Sequence, residues 1–337
     1  MRQNGVFMRD VRVIVSGCGG VGSNLVRLLA AKKGVEIAGV VDIAPSKVGQ
    51  DAGIIAGGEP IGVIVTSDSE ALYQAGADVV ICTSAPTSER ATFQLMRPAL
   101  EHGINVVVAN MGTCNLWATD PQLAQEVDAI CKKHGVSYFG IGATQMQDRF
   151  ILLNTEGCSK IDKIVFTHFA DIHAFRPESF RAEWGVTLTE REFYEGLKNG
   201  TIEKHDYFAN GIIYIAERLG WTIDHIIQRQ EPMVNADKIV YGTHFTFEGY
   251  DPSGHVRIET NWIFLLDEER RYYDQIIIEG TPHIDSMNTF SPDRGMVSTF
   301  ASLVNAIPFA IKSAPGYVNT LDLPACTLVD DEIFHHI

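Results

Sequence analysis

The sequence is poor in positive charge. Its 337 residues include 27 Lys and Arg against 42 Asp and Glu, which gives a formal net charge of −15. No basic stripe occurs anywhere along the chain. Nucleic acids and anionic membrane surfaces are bound mainly through clustered Lys and Arg. We therefore expect no nucleic acid and no membrane among the partners, and a small molecule as the substrate.

Long apolar runs and paired cysteines are also absent. No run approaches the roughly 20 apolar residues that cross a bilayer, and residues 1–10 are too polar for a signal peptide. The cysteines are scattered, without a C-x-x-C pair, at Cys18, Cys82, Cys114, Cys131, Cys158 and Cys326. We therefore expect no metal site, and reduced thiols in a cytoplasmic protein.

A glycine-rich turn follows the first apolar run, in the stretch Val11–Gly22 (VRVIVSGCGGVG). Its glycines have the spacing G-x-G-x-x-G, and leucines then recur at helical spacing at Leu25, Leu28 and Leu29. Strand, tight turn and helix in this order are typical of a dinucleotide-binding site, whose helix N-terminus binds the pyrophosphate. We predict cofactor contacts from Gly17, Cys18, Gly19, Gly20, Val21 and Gly22.

A second apolar run, Val35–Val41, ends at Asp42, 20 residues after the last glycine of the turn. An acidic side chain at this position accepts hydrogen bonds from the adenosine ribose and disfavours the extra phosphate of NADP. The expected cofactor is therefore NAD or NADP, with NAD favoured by Asp42, although Lys47 weakens that preference. The alternative is a structural glycine turn without a ligand.

The pattern of apolar residues predicts an α/β fold. Apolar strands alternate with amphipathic helices over the first ~140 residues, which indicates a doubly wound parallel Rossmann sheet. Residues 142–148 are expected to form a loop after its last strand. Beyond them, longer stretches alternate apolar and polar residues, which indicates a second α+β domain built on a mostly antiparallel sheet. A turn at residues 251–254 joins two of its strands as a hairpin.

These patterns divide the chain into three parts. We expect a dinucleotide-binding domain over residues 1–148 and a substrate and dimerisation domain over residues 149–294. A C-terminal helix and tail, residues 295–337, should return to the first domain. The antiparallel sheet of the second domain can pair across a two-fold axis, so a homodimer is expected.

Three stretches resemble the dihydrodipicolinate-reductase-like NAD(P) oxidoreductases, in the branch of 2,4-diaminopentanoate dehydrogenase and the native amine dehydrogenases. They are Val13–Asp42, Ser46–Val65 and Leu303–Pro324. The resemblance implies an NAD(P)-dependent enzyme that transfers a hydride to or from a C=N or C=O carbon of a small metabolite. Because the branch handles amines, an amine or imine is the preferred substrate class.

The sequence departs from that branch at two places. The branch carries a catalytic glutamate just after the strand expected at residues 105–109, whereas this chain continues with Asn110-Met111-Gly112-Thr113. An Asn-Pro-Gly-Phe turn is replaced by residues 142–148 (GATQMQD). These departures keep two alternatives open, a carbonyl reductase that needs no ammonia and a non-catalytic NAD(P)-binding sensor. A sugar-type dehydrogenase is less favoured, because its Glu-Lys-Pro motif is missing.

The loops after the parallel strands supply the remaining cofactor candidates. Ligands of doubly wound sheets lie beyond the carboxyl ends of the strands, which places Thr83, Ser84, Ala85 and Asn110 near the cofactor. Asn110 is also expected to lie near the reacting carbon. The structural alternative is that Asn110 caps backbone groups at the end of a strand.

Two titratable residues are the candidates for proton transfer. Asp148 is the carboxylate nearest in sequence to the expected loops, with an ion pair to Arg149 as its structural alternative. His173 is the other candidate, because Asp171 would lie on the same face of a strand and orient its imidazole. A surface or core role is the alternative for His173, and a metal site is not expected there.

Overall fold

In the computed structural model, the described residues are 2–3, 6–7, 9–84, 88–174, 177–291, 294–324, 326–329 and 332–333. The chain separates into two compact units. The first contains Met1–Gln145 and Ser298–Ile337, and the second contains Met146–Val297. None of the helices within the described ranges is long and apolar enough to cross a membrane.

The first part of the chain alternates strands with helices. In chain order its elements are β1 (Arg2–Gln3), β2 (Val6–Phe7), β3 (Val11–Ser16), α1 (Gly20–Ala30), β4 (Val35–Val41), α2 (Ala52–Ile55), β5 (Val65–Thr66), α3 (Ser69–Ala75), β6 (Val79–Cys82), α4 (Glu89–Glu101), β7 (Asn105–Val108), α5 (Leu116–Thr119), α6 (Pro121–His134) and β8 (Ser137–Gly140).

The rest of the chain forms the second unit and then the C-terminal elements of the first. These are α7 (Ala143–Thr155), β9 (Lys160–Asp171), α8 (Pro177–Trp184), α9 (Glu190–Asn199), α10 (Asn210–Leu219), β10 (His225–Val234), β11 (Val240–Tyr250), β12 (Val256–Leu265), β13 (Tyr272–Thr281), β14 (Ile284–Thr289), α11 (Arg294–Asn305), α12 (Ile307–Lys312) and β15 (Gly316–Tyr317).

Seven parallel strands form the sheet of the first unit, in the order β15-β8-β7-β6-β3-β4-β5. Val13, Ile14 and Val15 of the central strand β3 are fully buried, because helices cover both faces of the sheet. The chain winds outward from β3 through β4 on one side and through β6 on the other. The doubly wound sheet is thereby confirmed, and its topological switch point lies between β3 and β6.

Local capping fixes where the helices around this sheet begin and end. Ser88 caps α4, since its Oγ accepts a hydrogen bond from the Ala91 N–H at 3.2 Å. Asp120 caps α6 in the same way, by accepting from the Leu123 N–H at 3.0 Å. The same helix ends at Gly135, whose φ of +73° suits a glycine. The two N-caps, Ser88 and Asp120, lie at the carboxyl edge of the sheet and fix where its loops end.

Six strands form the sheet of the second unit, in the order β10-β11-β12-β9-β13-β14. Neighbouring strands are antiparallel except β12 and β9, which run parallel. The predicted turn at residues 251–254 joins β11 and β12 as a hairpin. The mostly antiparallel second sheet is therefore confirmed. The edge strands β10 and β14 were not predicted, because their residues are mostly partly or fully exposed and alternate weakly.

Two local predictions are wrong. Most of residues 142–148, expected as a loop, belong to α7, since their Ala, Gln and Met favour a helix. Strand β9 ends at Asp171, so His173 lies beyond it rather than on the same strand face.

Candidate functional site

The glycine turn between β3 and α1 is closed on its inner side and open on its outer side. Gly17 has a φ of +95°, which favours glycine. A Cβ on Gly22 would lie 1.9 Å from the carbonyl oxygen of Gly17, so only glycine fits there. A Cβ on Gly19 would have no neighbour within 4 Å. The space outside Gly19 is therefore available to a ligand that approaches the backbone.

The first turn of α1 offers its N–H groups to that space. α1 begins at Gly20 and continues through Val21, and its N-cap residue Gly19 has no side chain with which to bind them. Such N–H groups attract an anion. Cys18 is buried inside the turn, and burial raises the pKa of its thiol.

The loop after β6 packs against the glycine turn at the switch point. The Thr83 hydroxyl donates a hydrogen bond to the Gly17 carbonyl oxygen at 2.8 Å. A Cβ on Gly17 would lie 2.7 Å from the Ser84 nitrogen. Thr83 and Ser84 therefore support the turn, while Ala85 lies outside the described residues.

Asp42 lies at the end of β4, and three donors bind its carboxylate. The N–H of Cys18 donates to Oδ2 at 2.8 Å, the N–H of Ala44 donates to Oδ1 at 2.9 Å, and Lys47 Nζ donates to Oδ2 at 3.0 Å. Burial acts to raise its pKa, but the hydrogen bonds outweigh burial and hold the pKa below its ordinary value. Asp42 is a fixed, ionised acceptor. The next residue, Ile43, is 85% exposed.

Asn110 lies at the carboxyl end of β7, and its side chain is engaged at both ends. Its Nδ2 donates to Thr92 Oγ1 at 3.2 Å, and its Oδ1 accepts from the Gly112 N–H at 2.9 Å. The Thr113 hydroxyl donates to the Asn110 carbonyl at 2.6 Å. Asn110 therefore caps a 3-10 turn, Met111–Thr113, and holds the loop after β7 in place.

Glu89, the first residue of α4, is a carboxylate at this edge that the sequence analysis missed. A Cβ on Gly112 would lie 1.8 Å from Glu89 Oε1, so the acidic side chain covers the α-carbon of that glycine. Burial, followed by charges on neighbours that include Glu89, raises the pKa of Tyr138 well above its ordinary value. The available sequence signal was the position of Glu89 directly after the Ser88 cap, at the end of the loop after β6.

Asp148 lies on α7 in the second unit and is buried. Its residue is 6% exposed, and a Cβ on Gly211 in α10 would lie 3.0 Å from its Oδ1. Burial raises the pKa of Asp148 to about 7, against a smaller opposing effect of Arg149. Within the described parts of the chain, its carboxyl group forms no hydrogen bond or ion pair. It can therefore exchange a proton near neutral pH.

His173 forms a hydrogen bond through Nδ1 to Asp171, two residues earlier. The Asp171 carboxylate is fully buried, while the His173 side chain is 38% exposed. Asp171 also accepts from Arg270 Nε at 2.5 Å and from the Asp267 N–H at 3.1 Å. The acid therefore orients the imidazole, although the contact forms beyond the end of β9.

His168 lies in a buried polar cluster that the sequence did not indicate. His168 Nδ1 lies 2.6 Å from Asp274 Oδ1 and 2.7 Å from Gln147 Nε2. The ring of Trp262 lies 5.2 Å from that of His168, centroid to centroid. These residues come from β9, β13, α7 and β12, so their meeting depends on strand register rather than on local sequence.

Two protein families match the chain over most of its length. Residues 11–139 match the family described as dihydrodipicolinate reductase, N-terminus. Residues 145–244 and 266–337 match the 2,4-diaminopentanoate dehydrogenase C-terminal domain. The 2,4-diaminopentanoate dehydrogenase of Acetoanaerobium sticklandii is 31% identical over 340 residues, which cover 94% of each chain. The chain belongs to this branch of the dihydrodipicolinate-reductase-like oxidoreductases.

Other relatives agree with the family. An amine dehydrogenase structure from Mycobacterium smegmatis superposes with a TM-score of 0.79 and 26% identity, covering 94% of this chain and 97% of that one. A 4-hydroxy-tetrahydrodipicolinate reductase of Anaeromyxobacter dehalogenans is 40% identical over 104 residues, or 30% of this chain and 37% of its own. The chain is therefore an NAD(P)-dependent dehydrogenase or reductase, and the predicted resemblance is confirmed.

The first unit of this family member fits the dinucleotide that the family implies. The glycine turn leaves open space outside Gly19, beside the N–H groups of α1. Asp42 supplies an ionised acceptor beyond β4, as an adenosine ribose requires. The structure thus brings together the cofactor candidates that it describes at one edge of the parallel sheet. Asp148 and His173 belong to the second unit.

Proposed function

We propose that this enzyme oxidises an amine of a small metabolite at the carbon that bears the nitrogen, and that it reduces the corresponding imine in the reverse direction. The single observation that carries this proposal is the family match beyond the cofactor half. Residues 145–244 and 266–337, which include nearly all of the second unit, match 2,4-diaminopentanoate dehydrogenase. The N-terminal match supports NAD(P) binding but says little about the substrate.

Cofactor binding is assigned to the sheet edge of the first unit. The bound cofactor supplies a nicotinamide that accepts or donates the hydride. The turn from Gly17 to Gly22 would hold the pyrophosphate, because the space beside Gly19 is open and no side chain caps the N–H groups in the first turn of α1. Thr83 would keep the turn in shape through its bond to the Gly17 carbonyl.

We propose that NAD is preferred over NADP. An ionised carboxylate has about four acceptor positions, and the three donors on Asp42 leave room for a ribose hydroxyl. The exposed Ile43 offers no charge to a 2′-phosphate. Lys47 is the nearby cation, and its ammonium already pairs with Asp42. The balance of these groups favours a ribose with a free 2′-hydroxyl.

Asp148 and His173 are proposed as proton-transfer groups of the second unit. A carboxyl group with a pKa of about 7 both gives and accepts a proton at neutral pH. His173 has an oriented, partly exposed imidazole, which suits the same task. Asn110 is engaged as a cap, which supports a positioning role for it rather than proton transfer.

A carbonyl reductase that needs no ammonia is the second candidate function. The observation that favours it is the loop after β7, whose residues 110–113 contain no carboxylate. Reduction of a ketone requires one proton for the new hydroxyl and involves no amine. The two functions are separated by the requirement for ammonia.

Assembly and location belong to the same proposal. We propose a homodimer, with residues 149–294 as the substrate and dimerisation domain. One face of the six-stranded sheet carries the partly exposed apolar side chains Val165, Ile263 and Ile277. Pairing across a two-fold axis would cover them. The six free cysteines support a reducing compartment, for which the cytoplasm is proposed.

The test combines cofactor binding with a substrate panel. The purified protein is titrated with NADH and NADPH, and then assayed with 2,4-diaminopentanoate, 2-aminobutane and 2-butanone, the ketone with and without ammonia. We expect oxidation of at least one amine, and 2-butanone reduction only with ammonia. Equal reduction without ammonia would favour the carbonyl reductase instead.

A matched pair of variants tests the cofactor site. Gly19→Val should fold, because a Cβ at this position meets no described atom within 4 Å, yet it should weaken NADH binding at least 30-fold by filling the ligand space. Gly157→Val adds a side chain to equally open space in the second unit and should bind NADH like the wild type. Unchanged NADH binding by Gly19→Val would contradict the assignment of the turn.

A further inference from the structure

We infer that Glu89 is a catalytic carboxylate of this enzyme, which pairs with the substrate ammonium and accepts its proton. The inference rests on the proposed amine oxidation and adds a residue that the sequence analysis did not select. It follows from three properties of Glu89: its place on the sheet edge, its fit against Gly112 and its lack of partners in the part of the chain that the structure describes.

The sheet topology places Glu89 on the nicotinamide side. A dinucleotide crosses the switch point between β3 and β6. Asp42, the ribose acceptor, follows β4 and fixes the adenosine half on that side. The nicotinamide half is then directed over the ends of β6 and β7, on the opposite side of the glycine turn. Glu89 begins α4 at the end of the loop after β6, and Gly112 belongs to the loop after β7.

The contact with Gly112 brings the carboxylate of Glu89 over the loop after β7. A Cβ on Gly112 would lie 1.8 Å from Oε1, 2.6 Å from Cδ and 2.8 Å from Cγ of Glu89. The acidic side chain thus occupies the space that a side chain at position 112 would need. One turn further along α4, Thr92 accepts a hydrogen bond from Asn110 and holds the same loop.

Glu89 is the acidic residue that the described chain offers on this side of the sheet edge. In the described residues of the loops after β6, β7 and β8, namely 83–84, 88, 109–115 and 141–142, no other Asp or Glu occurs. Within the same described chain, the Glu89 carboxylate forms no hydrogen bond or ion pair. Asp42, by contrast, is bound by three donors. The partly buried Glu89 is thus a carboxylate that is free to bind a cation.

The proposed amine oxidation consists of a proton transfer, a hydride transfer and a hydrolysis. The Glu89 carboxylate takes one proton from the substrate ammonium, which leaves a neutral amine. The C–H bond at the adjacent carbon breaks, its electron pair and hydrogen leave as a hydride to the oxidised cofactor, and the nitrogen lone pair forms the C=N bond of an iminium. Water then adds at that carbon, ammonium leaves, and the ketone forms. Glu89 returns its proton to the solvent.

The first test is a set of four variants. Glu89→Gln should lower kcat for the best amine of the panel at least 100-fold, since proton transfer by a positioned group contributes roughly 10²–10⁴-fold. Its Kd for NADH should change less than threefold. Glu89→Asp should keep part of the activity. The double variant Glu89→Ala/Gly112→Glu places a carboxylate beside the space that Glu89 leaves, and its kcat should exceed that of Glu89→Ala at least tenfold.

Two controls separate this role from a structural one. Glu70→Gln removes the first-turn carboxylate of α3 and should leave kcat unchanged. An equal loss of kcat in Glu70→Gln would mean that Glu89 only stabilises a helix N-terminus. Binding of 2-aminobutane, measured by calorimetry with NADH present, should weaken at least tenfold in Glu89→Gln. Binding of 2-butanol, its neutral analogue, should not change.

The outcomes distinguish the inference from the proposed function. An active wild type whose Glu89→Gln variant keeps kcat and amine binding within threefold overturns the assignment of Glu89 alone. A wild type that oxidises none of the amines overturns the proposed function, and the assignment to an ammonium with it.

Discussion

In each unit, a carboxylate that several donors bind can be compared with one that no donor binds among the described residues. In the second unit, Asp171 and Asp148 are both buried, but Asp171 binds an imidazole, a guanidinium and a backbone N–H, whereas Asp148 is bound by no donor among the described residues. In the first unit, Asp42 has three donors, whereas no donor within the described ranges binds Glu89. Partnered carboxylates fix structure, and those without partners are available for proton exchange or a cationic ligand.

The largest expected effect is the pH dependence that Asp148 gives to stability. Its pKa is raised from 3.8 to about 7 in the folded protein. Between these values the folded state keeps a proton that the unfolded state releases, so the free energy of unfolding falls as pH rises. Each pKa unit corresponds to about 1.4 kcal/mol, and the fall from pH 5 to pH 8 should reach about 3 kcal/mol.

Asp148→Asn removes this titration. Urea unfolding at pH 5, 6, 7 and 8 should show the variant gaining about 3 kcal/mol relative to the wild type as pH rises. Well below pH 3.8 the difference should be constant, because Asp148 is then protonated in both states of the wild type. If the free energies of unfolding of the two proteins changed with pH in parallel, Asp148 would be ionised in the folded protein. That result would contradict the proposed difference between Asp148 and Asp171.

Removal of the partnered carboxylate Asp171 should lower stability because it leaves its donors without an acceptor. Asp171→Ala leaves the buried Asp267 N–H without its acceptor and releases Arg270 and His173. We expect the free energy of unfolding to fall by about 3 kcal/mol at pH 7. Asp162→Ala, which removes an exposed partner of Lys160, should cost about 0.5 kcal/mol or less. Similar losses in both variants would contradict the prediction.

The smallest effect concerns the partnered carboxylate of the first unit. Asp42→Asn should lower the ratio of kcat/KM for NAD to that for NADP about tenfold, or ~1.4 kcal/mol, because the ionised ribose acceptor is lost. Lys47→Met should raise the ratio about threefold by removing the cation beside it. A ratio that moves in the same direction in both variants would show that the Asp42–Lys47 pair does not set the preference.

The local structure of the proposed cofactor site was predictable because it depends on local sequence. A strand, three spaced glycines, a helix and an acid at the end of the next strand lie within 32 residues of the chain, from Val11 to Asp42. The features contact one another directly. A side chain at Gly22 would clash with the carbonyl oxygen of Gly17, and Asp42 accepts a hydrogen bond from the N–H of Cys18. The two sheets followed from hydrophobic periodicity, which records burial directly.

The rest of the site depends on contacts between distant residues. Glu89 reaches Gly112 only because α4 packs beside the loop after β7, and no spacing in the sequence encodes that contact. The pKa of Asp148 depends on burial against α10, whose residues lie more than 60 positions away. Asp171 and His173 do meet as expected, but through a turn after β9 rather than along a strand. Tertiary packing decides each of these cases.

The buried Cys18 can report when the glycine turn opens. Its thiol is 1% exposed and has a raised pKa, so alkylating reagents meet neither an accessible sulfur nor an abundant thiolate. Cys158 and Cys326 are partly exposed and should react first. Modification of Cys18 then requires the turn to come away from β4 and expose it. The rate at which Cys18 is labelled would therefore measure how often the glycine turn opens, and a bound cofactor should slow that rate.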